Sequence, residues 1–434
     1  MLSPQLIALG ILVFCIIFFL TEWIPTTVTS MIACLLFALT GVCTFSQAFS
    51  GFSNSIVILV FGMMVIGEAM FESGVSHIIG HKVMKLAGNN ERRFILIAGL
   101  TSSLMSMFLA NTAVIAMFLA IMNSISRTYK EVKLKNICLA TSMGAMFGGS
   151  CTLVGSTPQL TVQSIVEGTV GQSFGMWDYL PVGGALTILY LCYVLFIGYP
   201  LGKRIWGDSD GDSDQAALDE LSARADSERE QLKSGSRRKQ ISMICILLLM
   251  LVLFITELVS NVVTACICAI LCVVTGCTNE ANIIKRMDWK VLVRLAGCLG
   301  IGVGIDESGC GELIANGFTA VFGTDVSPMV FLAGSVLLVM LISNFITNST
   351  AVFVVLPPVL AVCTEYGFNP MAFAIAVCYG ANLCFATPLA NAQTGMTMVA
   401  GYKFKDYFKY NILLELVVFL GIIIFVPIFW RLVV

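Results

Sequence analysis

Two short polar tips carry the residue types that could do chemistry, Ala110-Asn111-Thr112-Ala113-Val114 and Asn348-Ser349-Thr350-Ala351-Val352. Each sits in the middle of a long apolar stretch, about 93–125 and about 328–364. Amide and hydroxyl oxygens are hard ligands, suited to a cation such as sodium. Helices that begin at the tips aim backbone N–H groups at an anion. Two more interruptions follow the tips. One is Gly148-Gly149-Ser150-Cys151-Thr152-Leu153-Val154-Gly155-Ser156-Thr157-Pro158; the other is Gly380-Ala381-Asn382 followed by Ala386-Thr387-Pro388. Proline removes a backbone donor and frees a carbonyl about one turn earlier. Taken singly, Asn, Ser and Thr can simply cap helices, and Gly and Pro can simply kink them. Four such motifs, paired along the chain, point instead to one binding site for a small solute and its coupling ions.

The elements that must position these residues are membrane helices. Of 434 residues, 58% are hydrophobic and 12% charged, against about 25% charged in globular domains. An apolar stretch of about 33–37 residues is too long for one span and suits two shorter helices folded back at the tip. A tip at membrane depth is tolerated only where it is buried in protein or lines a wet cavity. Other apolar segments run at about 5–21, 24–41, 54–71, 134–167 and 179–201, and again at 241–256, 258–276, 288–305, 370–400 and 409–431. Between the two sets, residues 202–240 hold nine acids and eight bases and no apolar run, as a solvated linker does, with part of it helical over 215–233. The first residues, Met1-Leu2-Ser3-Pro4, lack the basic region of a cleavable signal. No basic stripe argues for nucleic acid.

Residues repeat across the linker. Thr21-Glu22 matches Thr256-Glu257, Thr40-Gly41 matches Thr275-Gly276, and Glu72-Ser73-Gly74 matches Glu307-Ser308-Gly309, all at an offset of 235. Thr112-Ala113-Val114 and Thr350-Ala351-Val352 differ by 238, Thr157-Pro158 and Thr387-Pro388 by 230, Asp178-Tyr179 and Asp406-Tyr407 by 228. Two homologous halves, 1–201 and 241–434, account for six matches in one order. Basic residues cluster in 82–93, 127–135, 203–239, 285–294 and 403–409, whereas 42–53, 168–178, 306–328 and 365–369 have none. By the positive-inside rule the basic loops are cytoplasmic, so the first hairpin enters from the cytoplasm and the second from outside. The expected fold is an all-α polytopic membrane protein of two inverted repeats. It has about ten transmembrane helices, two opposed re-entrant hairpins and both termini outside. Inverted repeats with broken helices meeting near the midplane are a transporter architecture.

Other reactive residue types carry less. The 16 cysteines lie mostly in apolar runs, among them Cys15, Cys34, Cys245, Cys266, Cys268 and Cys272, and form no CxxC pattern, so neither zinc nor haem attachment is readable. His77 and His81 are spaced to share a metal, but with Lys82 and Lys85 beside them they suit a solvated amphipathic turn. Acids in apolar surroundings are Glu22, Glu68, Glu72, Glu257, Asp306, Glu307 and Glu415. Glu68 and Glu72 share a helix face and could relay protons; Glu72 and Glu307 also suit an interfacial position, and Glu22 and Glu257 a cap between spans. No Lys or Arg lies near either tip in the sequence. The charge of an anion would then be balanced by helix dipoles and co-bound cations, which favours cation symport over uniport.

At these residues the chain resembles the divalent-anion/sodium symporters, carriers of di- and tricarboxylates and sulfate. The resemblance rests on the two tips, on Thr21-Glu22-Trp23-Ile24-Pro25 followed by Val28-Thr29, and on Gly155-Ser156-Thr157-Pro158 and Ala386-Thr387-Pro388. It spans nearly the whole chain outside 202–240. The first tip lacks the family's serine, the second exchanges serine and asparagine, Leu389 replaces a second proline, and one early span of the pattern is not found. The resemblance implies a carrier, not an enzyme, without a cofactor. It would sit in the cell (inner) membrane among lipid, as a homodimer that moves a hairpin-bearing domain in elevator fashion. Amphipathic stretches near 76–88 and 310–322 would link that domain to a dimerising scaffold. Carried onto this sequence, it places the anion on Asn111, Thr112, Thr157, Pro158, Asn348, Ser349, Thr350, Thr387 and Pro388. It places sodium on Ser106, Asn111, Gly155, Asn344, Asn348, Ser349 and Ala386. Proton coupling or anion exchange, using Glu68 or Glu72, is the alternative.

Overall fold

The structure is a computed structural model and describes residues 3–433 other than 22, 76–77, 79–89, 129–131, 207–236, 257, 311–312, 314–325 and 388–390. Among those residues the first half holds α1 (Pro4–Thr21), α2 (Thr26–Leu39), α3 (Phe45–Ala48), α4 (Ser55–Glu72), α5 (Glu91–Ser106), α6 (Asn111–Thr128), α7 (Leu134–Gly149), α8 (Thr157–Val170) and α9 (Leu180–Trp206), the last wound as a π-helix over Val194–Gly198. The second half follows the same order: α10 (Arg237–Thr256), α11 (Asn261–Val274), α12 (Glu280–Arg286), α13 (Trp289–Ser308), α14 (Pro328–Ser343), α15 (Asn348–Tyr366), α16 (Pro370–Asn382), α17 (Ala392–Met396) and α18 (Phe404–Phe429). Because α9 reaches Trp206 and α10 starts at Arg237, the charged connection is shorter at both ends than the expected 202–240. Its expected helix lies outside the described residues, as do Glu22, His77, His81, Glu257, Pro388 and nearly all of 76–88 and 310–322.

The repeated residues turn out to be helix ends. Thr40 and Thr275 donate their hydroxyls back to Leu36 O and Leu271 O, each at 2.7 Å, and Gly41 and Gly276 follow at φ of 73° and 71°. Ser73 and Ser308 bond to Met70 O and Ile305 O, and Gly74 and Gly309 follow at 76° and 65°. A left-handed glycine stops a helix without the Cβ clash any other residue would meet. Thr21 and Thr256 bond to Ile17 O and Val252 O at 2.9 and 2.8 Å. The same stop signals at the same spacing give helices of similar length in both halves.

Packing is reciprocal between the halves. Helix α4 packs on α11 and α13 packs on α2; α8 packs on α15 and α17 on α6; α9 and α18, the last helix of each half, pack on one another. Among the described residues four helices are long and apolar enough to cross a membrane, α9, α10, α15 and α18, and shorter apolar helices include α2, α11, α14 and α16. Ile241, Ile244, Leu248, Val252 and Ile255 stand exposed along one side of α10, as lipid-facing residues do. The protein is an all-α, multi-pass membrane protein.

Both long apolar stretches fold back at their tips as the sequence predicts. Helices α5 and α6 are joined through 107–110, and α14 and α15 through 344–347. Hairpin 1 lies tight against α7. A Cβ on Gly148 would come within 2.0 Å of Ser103 O, and one on Gly144 within 2.6 Å of Gly99 O. Ser103 and Ser102 use that proximity to donate to Gly144 O at 2.6 Å and Thr141 O at 3.1 Å. Small residues that let backbones touch, with serines bonding across, are how helices hold together without a hydrophobic driving force.

Candidate functional site

A cavity of about 530 Å³ gathers both tips and both helix breaks. Asn111 and Thr112 line it from hairpin 1, Thr347, Asn348 and Ser349 from hairpin 2, Gly155, Ser156, Thr157 and Pro158 from the first break, and Asn382 and Asn391 from the second. Seven predicted residues therefore share one space: Asn111, Thr112, Gly155, Thr157, Pro158, Asn348 and Ser349. Ser106, Asn344, Thr350, Ala386 and Thr387 are buried but are not among the lining residues. Ser106 holds Asn111 and Thr350 bonds to Thr347, both on the cavity wall, whereas Asn344, Ala386 and Thr387 bond among themselves behind it.

The two tips are set by the same contact. Ser106 Oγ donates to Asn111 Oδ1, and Ser343 Oγ to Asn348 Oδ1 at 3.1 Å, a serine bonding to an asparagine five residues on in each case. Behind each tip a threonine from the break caps the open end of the preceding arm: Thr152 donates to Met107 O at 2.6 Å, and Thr387 to Asn344 O. The halves meet where Asn382 Nδ2 donates to Ser150 Oγ at 2.5 Å, with Asn348 Nδ2 on Asn382 O at 3.3 Å. Gly149 carries no side chain because Asn111 occupies that space, 2.3 Å from where a Cβ would be.

Among the helices that begin at the cavity wall, two are preceded by a polar residue whose side chain nevertheless makes no cap. They are α8, preceded by Ser156, and α15, preceded by Thr347. Free N–H groups and the positive end of the helix dipole suit an anion. Pro158 sits in the first turn of α8, where a missing donor costs nothing; it starts a helix and does not kink one. The counterpart α17 is closed, because Asn391 Oδ1 accepts from Thr394 N at 2.7 Å.

One expectation is corrected. A guanidinium does reach this space: half-buried Arg294, from α13, lines the cavity with Asp288 and Glu68. Among the described residues Arg294 has no hydrogen-bond or ion-pair partner. It lies 54 residues before the second tip, so only tertiary packing brings it near, and nothing local in the sequence signals it. Other contributors also went unnoticed. Gln159 donates to Gly149 O at 2.9 Å and accepts from Ser156, and its place three residues after Ser156 was a legible cue. Gln393 lines the cavity from α17. Glu415, flagged only as an acid among apolar residues, lies behind the second break.

The sequence pattern of the citrate transporter family (CitMHS) matches residues 16–348 and 301–433. The chain belongs to the citrate transporter family. That membership bears out the resemblance to the divalent-anion carriers; the family is one of membrane transporters, not of enzymes. Among relatives, an uncharacterized transporter of Synechocystis is 26% identical over 189 residues, which are 44% of this chain and 31% of that one, so the chain spans about a third of that relative. The sodium-dependent dicarboxylate transporter SdcS of Staphylococcus saprophyticus is 21% identical over 405 residues, 88% of this chain and 78% of that one. In fold, the chain superimposes on MtrF of Neisseria gonorrhoeae, from a class of antimetabolite efflux pumps, with a TM-score of 0.63 at 13% identity, covering 91% of this chain and 84% of that one.

Proposed function

We propose that this chain is a secondary active transporter that carries a small divalent anion, a di- or tricarboxylate such as succinate or citrate, or sulfate, together with sodium ions. The observation that carries the reading is the single cavity lined by both tips and both breaks. Open N-termini of α8 and α15 would receive the anion, with Thr112, Thr157, Ser349 and Thr350 nearby. Sodium would sit in two cradles: Ser106, Asn111 and Gly155 in the first half, Asn344, Asn348, Ser349 and Ala386 in the second. SdcS, similar over most of its length, is a sodium-dependent dicarboxylate transporter, which supports both parts.

Charge favours a co-bound cation despite Arg294. Among the described residues the charged ones lining the cavity are Glu68, Asp288 and Arg294, two acids against one base. A divalent anion adds two more negative charges to that space. Burying charge without compensation costs several kcal/mol, comparable with the binding free energy of a micromolar ligand, about 8 kcal/mol. Bound sodium offsets it, and uptake is electrogenic if more than two sodium ions accompany each anion.

The reciprocal packing supports two inverted repeats, with an elevator-like movement of the hairpins against α2, α4, α11 and α13 and a homodimer held by the latter set. Ile283, Met287, Asp288, Val291 and Arg294 line the cavity and lie in or beside the basic stretch 285–294, which the charge rule places in the cytoplasm. This supports an inward-open state. A second reading has one observation behind it: Glu68 faces the cavity, where it could take a proton in place of sodium. Uptake of labelled succinate, citrate and sulfate into proteoliposomes, under a sodium gradient and separately under a pH gradient, tests both. Uptake that ignores sodium and follows an imposed pH gradient overturns the sodium reading.

A further inference from the structure

Glu415 lies in the middle of α18, 6% exposed, and its carboxylate is met only by donors. Oε1 accepts from Phe385 N at 2.5 Å and Ala386 N at 2.6 Å, and Oε2 accepts from Asn344 Nδ2 at 3.0 Å. Asn344 Oδ1 in turn accepts from Ala386 N at 3.1 Å. One turn earlier on α18, Asn411 Nδ2 holds Phe385 O at 2.7 Å. Among the described residues the carboxylate has no basic partner. A buried, acceptor-only group thus fixes both the backbone of the second break and the amide at the foot of hairpin 2. The first half has no such device: Met107 stands where Asn344 does, and α9 contains no acid.

We propose that Glu415 is the positioning residue that makes the second-half cradle the stronger of the two sodium positions, acting through Asn344 and the 385–386 backbone. The inference rests on the sodium-coupled reading above. With its N–H groups turned toward Glu415, the 385–386 backbone is held in one orientation beside the tip. The fixed negative charge just behind raises the affinity of that place for a cation. A neutral amide cannot replace it. In Glu415→Gln the Nε2 faces either the two backbone N–H groups or the Asn344 amide nitrogen, and turning Asn344 over only moves the donor clash to Ala386 N. In the double variant E415Q/N344D the new carboxylate can accept from both Gln Nε2 and Ala386 N, so the polarity toward the break and the negative charge return; only the bond from Asn344 Nδ2 to Met340 O at 3.1 Å is given up, and Met340 O keeps the backbone N–H of residue 344.

The test measures substrate binding and melting temperature of the purified full-length protein against sodium concentration, with choline as the replacement. Wild type must first show sodium-dependent binding and a sodium-induced rise in melting temperature; if it shows neither, the symport reading fails, and wild type alone reveals it. Given that dependence, Glu415→Gln should raise the half-saturating sodium concentration about tenfold or more, since a hydrogen bond to a charged group is worth that much. The sodium-induced melting shift should disappear. E415Q/N344D should recover both. A merely structural role would lower the melting temperature at every sodium concentration and leave the sodium dependence unchanged. Wild-type sodium dependence in Glu415→Gln, or a folded E415Q/N344D that fails to recover it, overturns the proposal. If Glu415→Gln does not fold, the sodium titration of the double variant decides alone.

Discussion

Hairpin 1 with its break and hairpin 2 with its break are alike up to the serine–asparagine contact and the threonine behind it, and then they part. On the first side, α8 is 14 residues long and its N-terminus is left open toward the cavity. On the second, α17 has five residues and Asn391 closes its N-terminus. On the second side, Glu415 turns the backbone N–H groups of the break inward, away from the cavity, and Asn344 replaces Met107. The first break thus presents donors and the second withdraws them, while hairpin 2 keeps the open N-terminus of α15 on the cavity. Both breaks line one cavity, and on the proposed reading differences at a few positions suit the first to negative charge and the second to positive charge.

The largest effect is expected where the first side has no room. Gly149→Ala puts a methyl group 2.3 Å from Asn111 Oδ1 and so displaces the tip itself. Overpacking of this kind costs about 1–3 kcal/mol, and the displaced group is a proposed ligand, so uptake should be lost. The counterpart helix α16 ends on Asn382, which already carries a side chain, and Ala381→Gly beside it should cost about 1 kcal/mol of stability and leave uptake measurable. Uptake at the wild-type rate in Gly149→Ala would break the assignment of Asn111 to the site. Removing the ligands directly comes next. Asn111→Ala and Ser349→Ala should each lower initial uptake by about tenfold or more, each group being a polar contact to a charged partner, with the folded protein retained on size-exclusion chromatography. Wild-type rates in both would move the site elsewhere.

Much of this architecture is legible in the sequence alone, for physical reasons. Helix stops such as Thr40-Gly41 and Ser308-Gly309 are local chemistry, so the order of helices is readable directly. The hairpins followed from length and hydropathy, because an apolar stretch of that size with a polar middle has few ways to sit in a bilayer. The two tips meet in one cavity because the halves pack reciprocally, and the spacing of the matches foretold it. What stayed hidden depended on long-range packing. Arg294 looked like one more member of a basic loop, and only the placement of α13 against α8 turns it to the cavity. Thr157 and Thr387 looked equivalent by sequence, yet Thr157 begins a helix while Thr387 ties the break to Asn344, the task that Thr152 performs in the first half. Glu415 was noticed, but its three partners come from segments 29 to 71 residues away.

The open and closed N-termini can be exchanged to sharpen the contrast. Ser156→Asp supplies α8 with a charged cap at the cavity wall, which competes with an anion for the same N–H groups and repels it. Anion affinity should fall about tenfold, while the better cap contributes up to about 1 kcal/mol to stability. Asn391→Ala opens α17 and should cost about 1 kcal/mol of stability without raising anion affinity, because Glu415 still governs the backbone beside it. Equal effects of the two changes on anion binding, measured by titration calorimetry, would mean that the two sides do not differ in the way described.

The smallest effect expected is at Arg294, which belongs to neither side. Its guanidinium is half-buried and has no partner among the described residues, and it faces a cavity shared with Glu68 and Asp288. A charge pair in such a partly wet setting is worth on the order of 1 kcal/mol and weakens as salt rises. Arg294→Gln removes the charge and keeps a polar side chain of similar reach. Anion affinity should fall about threefold to tenfold at low ionic strength, and the deficit should shrink as choline chloride is added at fixed sodium. Sodium binding without the anion should hold or tighten slightly, because a positive charge has been taken from the same cavity. That opposite sign separates Arg294 from Glu415, whose loss weakens sodium. If anion affinity in Arg294→Gln matches wild type at low ionic strength, the open helix ends and the bound cations carry the anion's charge without it, and the contrast between the two sides accounts for recognition alone.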